Sequence, residues 1–348
     1  MLSHLDPNFE YFNQFLSQHS YSKLIILCDN HTHDYCVPSF LGQLETTLPF
    51  EILEIEAGEE MKTLETAAQL WQILLEYECD RKTLMINLGG GVIGDMGGFV
   101  ASTYKRGIDF VNIPTTLLAM CDASIGGKTG IDFAGFKNCI GSFTQPECIL
   151  LYPDFLDTLD YRELRSGFAE MLKHGLITDF NHWNELTNLS ELNAENVKPH
   201  IQKSVEIKSE VVQKDFKEQN IRKTLNFGHT VGHAIESYFL NANQPIPHGE
   251  GVAAGMIMEG YISWQSGLLS EVQFRELESK ISKFFPYLDI RSFNTDILLQ
   301  IMKNDKKNKD GKLLFVGLKN LGEAIFDIEI DENLVLKSLN YYKSQVNS

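Results

Sequence analysis

The chain has 348 residues, which is enough to bury a large hydrophobic core and favours two domains over one or three. Its hydrophobic content of 43% and charged content of 22% are those of an ordinary globular protein. The formal net charge of −17 argues against a protein that binds nucleic acid or an anionic membrane through a basic surface.

The distribution of apolar residues along the chain predicts a cytoplasmic protein. No apolar run reaches the roughly 18 residues of a membrane span, and residues 1–6 do not resemble the start of a signal peptide. The 6 cysteines form no Cys-x-x-Cys pair, so we expect them to be reduced core residues.

The first half of the chain alternates short apolar runs with helical patterns. Helices are predicted at residues 66–78 and 94–104, and strands at residues 24–28, 51–55, 84–88, 110–113 and 148–152. Because the apolar runs are continuous, they indicate a parallel sheet covered on both faces. This is the α/β organisation of a Rossmann-like nucleotide-binding domain.

A glycine-rich turn follows the strand predicted at residues 84–88. It reads Gly89-Gly-Gly-Val-Ile-Gly-Asp95 and leads into a helix. Glycines let the backbone approach a phosphate closely, and a helix N-terminus offers free N–H groups. The pattern indicates a dinucleotide site, although such a turn can also simply join strand to helix. Asp95 is a candidate either for ligand hydroxyls or for capping the helix.

Basic residues lie near the glycine-rich turns of this acidic chain. Gly126-Gly-Lys-Thr129 lacks the first glycine of a P-loop, whose place is taken by Asp122, so ATP binding is not predicted. Arg106, Lys128 and Lys137 favour an anionic substrate, with solvated surface lysines as the plainer alternative.

The second half of the chain is predicted to be mainly helical. Strands are expected at residues 313–316 and 324–328, and helices at residues 161–176, 197–212, 221–240, 249–267, 271–284 and 296–302. We place the domain boundary near residue 157, which gives a nucleotide-binding domain at 1–157 and a helical domain at 158–348. The active site is expected in the cleft between the two domains.

Histidines supply the first sign of metal chemistry. A helix over residues 221–240 would place His229 and His233 on one face, with Asn226 a turn earlier. Two imidazoles so placed can share a metal or a substrate, or can be ordinary half-buried side chains. His248, in a proline-flanked turn, is a third candidate ligand.

Acidic and basic residues complete the candidate set. Glu170 and Lys173 are three apart on a predicted helix with apolar neighbours, which suggests a partly buried pair. Together with His229 and His248, Glu170 supplies the His₂Glu set of a catalytic zinc site. The charged residues Lys208, Glu218 and Arg222 either join this site or lie on the surface.

With these motifs in order, the chain resembles the 3-dehydroquinate synthase family. The resemblance covers about residues 24–316. It rests on Gly-Gly-Gly-Val-Ile-Gly-Asp95, Pro-Thr-Thr-Leu-Leu-Ala-Met120, residues 122–128, Lys137-Asn138, Ser-Gly-Phe-Ala-Glu170, Leu-Asn-Phe-Gly-His229, Gly-His233-Ala, His-Gly-Glu250 and Asp305-Lys-Lys-Asn308.

The resemblance implies a cofactor-dependent homodimer that acts on a sugar phosphate. The implied metal ligands, for Zn²⁺ or Co²⁺, are Glu170, His229 and His248. The implied NAD-binding residues are Asp29, Glu59, Lys62, Gly90, Gly91, Val92, Asp95, Thr115, Thr116, Leu118, Asp122, Lys128, Lys137, Thr158 and Leu159. The implied substrate and catalytic residues are Arg106 from across the dimer, Asp122, Lys128, Asn138, Lys173, Lys208, Arg222, Asn226, His233 and Lys306.

The implied reaction converts 3-deoxy-D-arabino-heptulosonate 7-phosphate into 3-dehydroquinate and phosphate. Its steps are transient NAD-dependent oxidation, β-elimination of phosphate, re-reduction and intramolecular aldol closure. His233 and Lys128 are expected to handle protons and to contact the carboxylate or phosphate, and the departing phosphate is an alternative base.

Three other functions are weighed against this one. A sister cyclase, of the 2-epi-5-epi-valiolone or 2-deoxy-scyllo-inosose synthase type, would share the fold, NAD and metal. Asn226 and His233 argue against the first of these types. A metal-dependent polyol dehydrogenase would release NADH, and an inactive NAD-binding protein would lack a metal ligand, whereas all three are present.

Overall fold

The computed structural model describes residues 3–134, 136–303 and 313–346. The chain divides into two compact units, Met1–Asp160 and Tyr161–Ser348, so this division falls three residues after the boundary placed at 157. Within the described residues, no helix is both long and apolar enough to cross a membrane.

Ten strands in three sheets are present in the residues that the structure describes. They are β1 (Ser3–Leu5), β2 (Lys23–Asp29), β3 (Phe50–Ile55), β4 (Thr83–Gly89), β5 (Phe110–Pro114), β6 (Lys128–Phe133), β7 (Phe136–Phe143), β8 (Ile149–Leu151), β9 (Leu314–Asn320) and β10 (Glu323–Glu329). The first unit contains a parallel six-stranded sheet in the order β1-β8-β5-β4-β2-β3 and the antiparallel pair β6-β7. The antiparallel pair β9-β10 belongs to the second unit.

Thirteen α-helices accompany the strands in the described residues. They are α1 (Glu10–Gln18), α2 (Asn30–Tyr35), α3 (Val37–Gln43), α4 (Leu64–Glu76), α5 (Gly91–Thr103), α6 (Tyr161–Thr178), α7 (Phe180–Thr187), α8 (Ala194–Lys214), α9 (His229–Asn241), α10 (His248–Gln265), α11 (Glu271–Ser282), α12 (Thr295–Lys303) and α13 (Glu332–Gln345).

The parallel sheet confirms the predicted α/β fold of the first unit. Strand β4 is buried along its whole length, as a continuous apolar run predicts for a central strand. From β2 the chain moves on to β3 on one side, whereas β4 leads to β5 on the other. Neighbouring strands that diverge in this way form a topological switch point, where ligands bind beyond the carboxyl ends of the strands.

Close packing of α5 on the sheet fixes the glycine-rich turn. A Cβ atom on Gly97 would lie 1.9 Å from Oδ1 of Asn87 on β4. The amide of Asn87 in turn donates to Asn112 Oδ1 on β5, at 2.9 Å. The position of Gly97 on α5 therefore tolerates no side chain, and this close approach holds the helix against β4.

The second unit is mainly helical, and α10 lies at its centre. Fourteen of the helix's residues, from Gly249 to Ser263, are buried. The helix packs against α6, α9, α11, α13 and β9. A helix that is apolar around its whole circumference belongs in a core, and here it supports the elements that carry the candidate site.

Two predictions were wrong in detail. The helix predicted over residues 221–240 is broken: Ile221–Asn226 is a 3₁₀ turn, and α9 begins after Gly228, whose φ is +79°. Asn226 therefore does not lie one turn before His229 on a common helix. Of the 6 cysteines, all unpaired, Cys139 is exposed rather than in the core, since it lies on the β6-β7 pair.

Replacement of Gly97 by alanine should destabilise the first unit. The new Cβ would collide with the buried Asn87 amide, and we expect a loss of about 3 kcal/mol in the free energy of unfolding. Gly94 on the same helix is the matched control, because a Cβ there meets nothing within 4 Å. Alanine at Gly94 should be neutral or stabilise by up to about 1 kcal/mol. Urea unfolding of both variants measures the difference, and equal stabilities would contradict this account of the packing.

Candidate metal and nucleotide sites

A buried carboxylate lies at the middle of the candidate metal site. Glu170 on α6 has no exposed surface, and the Lys173 ammonium contacts it one helical turn away. The Nε2 atoms of His229 and His248 each lie 3.3 Å from Glu170 Oε1. The residues predicted as metal ligands are thus brought together by α6, α9 and α10.

The charges around Glu170 keep it ionised. Burial by itself would raise the pKa of Glu170, but Lys173 and the two imidazoles outweigh burial and hold the pKa well below its usual value. Burial and the Lys173 charge lower the pKa of His229. Burial likewise lowers the pKa of His248, yet Glu170 and Glu236 raise it to about 10. A cation bound here would take the place of the proton that His248 holds.

The Nδ1 atoms of His229 and His248 each have a hydrogen-bond partner. Nδ1 of His229 donates to the Phe227 carbonyl at 3.1 Å, and Nδ1 of His248 donates to Glu236 Oε2 at 3.1 Å. Such partners orient metal-binding histidines and leave Nε2 as the ligand atom. Glu236 was not singled out in the sequence, although it lies one turn after His233 on α9.

The distances fit a divalent metal. Donor atoms about 2.1 Å from a tetrahedral zinc ion are about 3.4 Å apart, and both imidazole nitrogens lie 3.3 Å from the Glu170 oxygen. A buried carboxylate with two imidazoles is also the donor set of catalytic zinc sites that keep a position open. The residues present therefore suit the metal.

His233 lies beside this set. Its ring centre is 5.1 Å from that of His229 and 5.7 Å from that of His248. A ring nitrogen of each of the three histidines lies within 4.8 Å of the others, so geometry also permits a three-histidine ligand set. The carboxylate contact favours His229 and His248 as ligands, because both approach the same Glu170 oxygen.

A second buried carboxylate fixes the start of α9. Glu259 on α10 has no exposed surface, and its oxygens accept from the backbone N–H groups of Gly228 at 2.7 Å and Val231 at 3.1 Å. It therefore caps the helix whose first residue is the candidate ligand His229. Glu259 was not predicted from the sequence, although a lone charge inside the apolar stretch of α10 indicates a buried partner.

Close contact between α6 and α10 sets the position of His248. Gly249 donates its backbone N–H to Ser166 Oγ at 2.9 Å, and a Cβ on Gly249 would lie 2.1 Å from the Ser166 carbonyl oxygen. Next to it, Arg165 pairs with Glu250. The His-Gly-Glu sequence thus places the ligand His248 near Glu170 through the glycine that follows it.

Other residues predicted to meet substrate are also in the second unit. Lys208 and Arg222 are buried rather than on the surface, with 6% and 3% exposure. Arg222 donates to the Phe216 carbonyl at 2.6 Å, and the Asn226 amide donates to Glu218 at 2.8 Å. Lys306 lies outside the described residues.

In the first unit, the predicted nucleotide site lies at the switch point. Gly90 caps α5, so Gly91 and Val92 form its first turn, and Gly90 approaches Thr116 closely. Helix α5 starts three residues earlier than predicted, and its free N–H groups therefore face the end of β4. An N-terminus with no side chain on its first residue suits a phosphate.

An ion cluster around the buried Lys62 adjoins this turn. Lys62 is 3% exposed and donates to Asp95 Oδ2 at 2.6 Å, and its ammonium lies 3.8 Å from Glu59. Lys137 reaches the same Glu59 at 4.0 Å. Burial lowers the pKa of Lys62, but Asp95 and Glu59 raise it above its ordinary value, so this lysine stays charged. Asp95 is the fifth residue of α5 and does not cap the helix.

The remaining predicted residues of the first unit lie on turns and strand ends. Asp29 ends β2 and caps α2, and Thr116 Oγ1 accepts from the Ala119 N–H at 3.1 Å. Arg106 is exposed, with φ of +72°. The others occupy the segment after β5 (Thr115, Leu118, Asp122), the β6-β7 pair (Lys128, Asn138) and the end of the 3₁₀ turn Pro153–Thr158 (Thr158, Leu159).

Known proteins match this chain along nearly its whole length. A family profile described as 3-dehydroquinate synthase N-terminal matches residues 52–166, and one described as 3-dehydroquinate synthase C-terminal matches residues 167–308. The 3-dehydroquinate synthase of Parabacteroides distasonis is 41% identical over 331 residues, which cover 94% of each chain.

Solved structures share the fold. A 2-epi-5-epi-valiolone synthase from Streptomyces hygroscopicus, with NAD⁺ and Zn²⁺ bound, matches with a TM-score of 0.84 at 25% identity, covering 99% of this chain and 96% of that one. A 2-deoxy-scyllo-inosose synthase with carbaglucose-6-phosphate, NAD⁺ and Co²⁺ matches with a TM-score of 0.81 at 22% identity, covering 95% of each chain.

Metal content should separate the roles of the histidines. At a free zinc concentration that fills only the tightest site, His229→Ala should lose the bound ion, because it removes one nitrogen from the Glu170 cluster. His233→Ala should retain the ion. Elemental analysis after equilibrium dialysis gives the content per chain. Loss of metal from the His233 variant would instead support the three-histidine set.

Neutralising Glu259 should loosen the metal site without emptying it. In Glu259→Gln the acceptor of at least one N–H at the start of α9 is lost, and we expect metal affinity to fall roughly tenfold. Glu278→Gln is the matched control, because Glu278 is a buried carboxylate of the same unit that bonds to Tyr287 and Tyr341 instead. Competition with a chromophoric chelator measures the affinity. An equal loss of metal affinity in both variants would mean that Glu259 contributes only to the general stability of the second unit.

Proposed function

The chain belongs to the 3-dehydroquinate synthase family, and we propose that it converts 3-deoxy-D-arabino-heptulosonate 7-phosphate into 3-dehydroquinate and inorganic phosphate. The observation that carries this proposal is the buried Glu170 carboxylate with His229 and His248 each 3.3 Å from one of its oxygens. Since a carbon–oxygen bond breaks as phosphate leaves, the enzyme acts as a lyase.

The reaction needs both a hydride acceptor and a Lewis acid. When bound, NAD⁺ supplies reversible hydride acceptance, and a divalent metal acidifies a substrate hydroxyl. Oxidation of one hydroxyl acidifies the neighbouring C–H, phosphate leaves by β-elimination, and the hydride returns. Ring opening and an intramolecular aldol reaction then close the carbocycle, so no net oxidation occurs.

The second unit would hold the metal and the polar groups of the substrate. Glu170, His229 and His248 would hold the ion, and Lys173 maintains the Glu170 charge that such an ion requires. His233 lies at the edge of this set and would exchange a proton with a substrate hydroxyl. The buried cations Lys208 and Arg222 suit the substrate's anionic groups, because water weakens an ion pair less when the cation is buried.

The first unit would hold NAD. The N–H groups at the start of α5 would receive the pyrophosphate, and Gly90 and Gly91 leave room for it. Asp95, held by Lys62, would accept from cofactor hydroxyls, with Glu59 and Lys137 alongside. The other NAD-binding residues predicted from the sequence remain part of this proposal.

We propose a homodimer in which Arg106 acts on the partner's substrate. The support is its chemistry: Arg106 is an exposed guanidinium on a turn with a left-handed backbone, and a guanidinium suits a phosphate. Lys128 and Asn138, on the β6-β7 pair, are proposed as further substrate contacts.

Other functions are not favoured. The relative that is 41% identical over 94% of the chain is a 3-dehydroquinate synthase, whereas the two sister cyclases compared are 22% and 25% identical. A polyol dehydrogenase is likewise not favoured over a family whose profiles match residues 52–308.

Product analysis provides the test. Enzyme with NAD⁺ and zinc should release phosphate from 3-deoxy-D-arabino-heptulosonate 7-phosphate with no steady rise in NADH absorbance, because the hydride returns in each turnover. His233→Ala should keep its metal but lose roughly 10²- to 10⁴-fold in turnover.

Sedoheptulose 7-phosphate and glucose 6-phosphate serve as control substrates. Release of phosphate from either in preference to the heptulosonate would assign the chain to a sister activity. Accumulation of NADH in proportion to substrate consumed would indicate a dehydrogenase, and both results would refute the proposal.

A further inference from the structure

Three potential metal ligands lie together where α7 meets α8. His182 and Glu185 are three apart on α7, so they share a face of that helix, and His200 lies on α8. A ring nitrogen of each histidine and a carboxylate oxygen of Glu185 all lie within 4.8 Å of one another. His200 Nδ1 is 3.4 Å from Glu185 Oε2. None of the three belongs to the Glu170 site.

The inner member of this group has a ring nitrogen without a partner. His182 is 1% exposed, and its Nε2 is 2.8 Å from Ser204 Oγ on α8. Its Nδ1 is buried and has no hydrogen-bond partner in the part of the chain that the structure describes. A buried polar atom left in this state costs free energy. In metal-binding histidines, one ring nitrogen is hydrogen-bonded to a neighbouring group and the other binds the ion. The two ring nitrogens of His182 fit this arrangement.

We propose that His182, Glu185 and His200 form a second divalent-cation site. Imidazole nitrogens select Zn²⁺, Co²⁺ or Ni²⁺ over Mg²⁺ and Ca²⁺, and two imidazoles with one carboxylate leave room for water. The His182 end of the site is closed by the protein, whereas the side chains of His200 and Glu185 are 20% and 60% exposed, so an ion enters from solvent.

The surrounding charges permit a cation. Besides the histidines His174 and His200, the basic side chain that acts on His182 is Lys203, which is paired with Asp179 at 2.9 Å. Asp179 also caps α7, where it accepts from the backbone N–H groups of Asn181 and His182. The lysine's charge is therefore largely balanced, and Glu185 adds a negative charge of its own.

The ion would link helices α7 and α8. Helix α6, which carries Glu170, packs against both α7 and α8, and an ion joined to both would restrain them. A site open to solvent on one side binds more weakly than the buried Glu170 site. We therefore expect it to fill only after that site is loaded, and to change stability rather than turnover.

Zinc titration of the zinc-loaded enzyme with NAD⁺ tests the site. Equilibrium dialysis at rising free zinc should show one further ion per chain, and thermal unfolding should shift upward as that ion binds. His200→Gln and Glu185→Gln should each weaken this second binding roughly tenfold or more and remove most of the thermal shift. Turnover should be unchanged in both variants, since neither residue contacts the Glu170 site.

His31→Gln is the matched control, because His31 is an exposed histidine on α2 that belongs to no such cluster in the described residues. It should keep the second ion and the thermal shift. Absence of a second ion, or a second ion that persists in both the His200 and Glu185 variants, would overturn the proposal. His229→Ala, which should lose the first ion only, separates the two sites.

Discussion

The second unit depends on one electrostatic constraint, the buried negative charge of Glu170. A carboxylate without exposed surface is tolerable only beside positive charge or donors, and Lys173, His229 and His248 provide these from three helices. The same need recurs at Glu259, whose charge is met by the N-terminus of α9. Two buried acids therefore hold α6, α9 and α10 in register, and the proposed metal ion would bind at the first of them.

Much of the site could be predicted from residue types and their order. Glu170, His229 and His248 could be proposed as ligands because carboxylate and imidazole are the donors a zinc ion needs, and the family resemblance separated His229 from His233. The helix break before His229 could not be predicted, because it depends on tertiary packing. A Cβ on Gly228 would lie 2.6 Å from Met256 Cγ on α10. Burial of Lys208 and Arg222 likewise depends on neighbours distant in sequence. From the sequence alone, both residues could equally have been surface charges.

The fold was predictable where hydrophobic pattern was strong. Continuous apolar runs marked β2, β4 and β5, which lie at the middle of the sheet and are covered on both faces. The β6-β7 pair was missed because its outer strand is mostly exposed and carries no apolar run. The helices α7 and α13 were missed too, since short or polar helices owe their stability to packing and caps rather than to a periodic pattern.

The distribution of the proposed metal ligands also bears on how the protein is made. All three, together with the Glu259 cap, lie between residues 170 and 259 of the second unit, whereas the parallel sheet is complete by Leu151. On a ribosome the whole sheet is therefore synthesised before any of these three residues. Metal binding by this set would consequently follow synthesis of the sheet, and a nascent chain stalled before His248 would present its imidazole and carboxylate donors as an incomplete set.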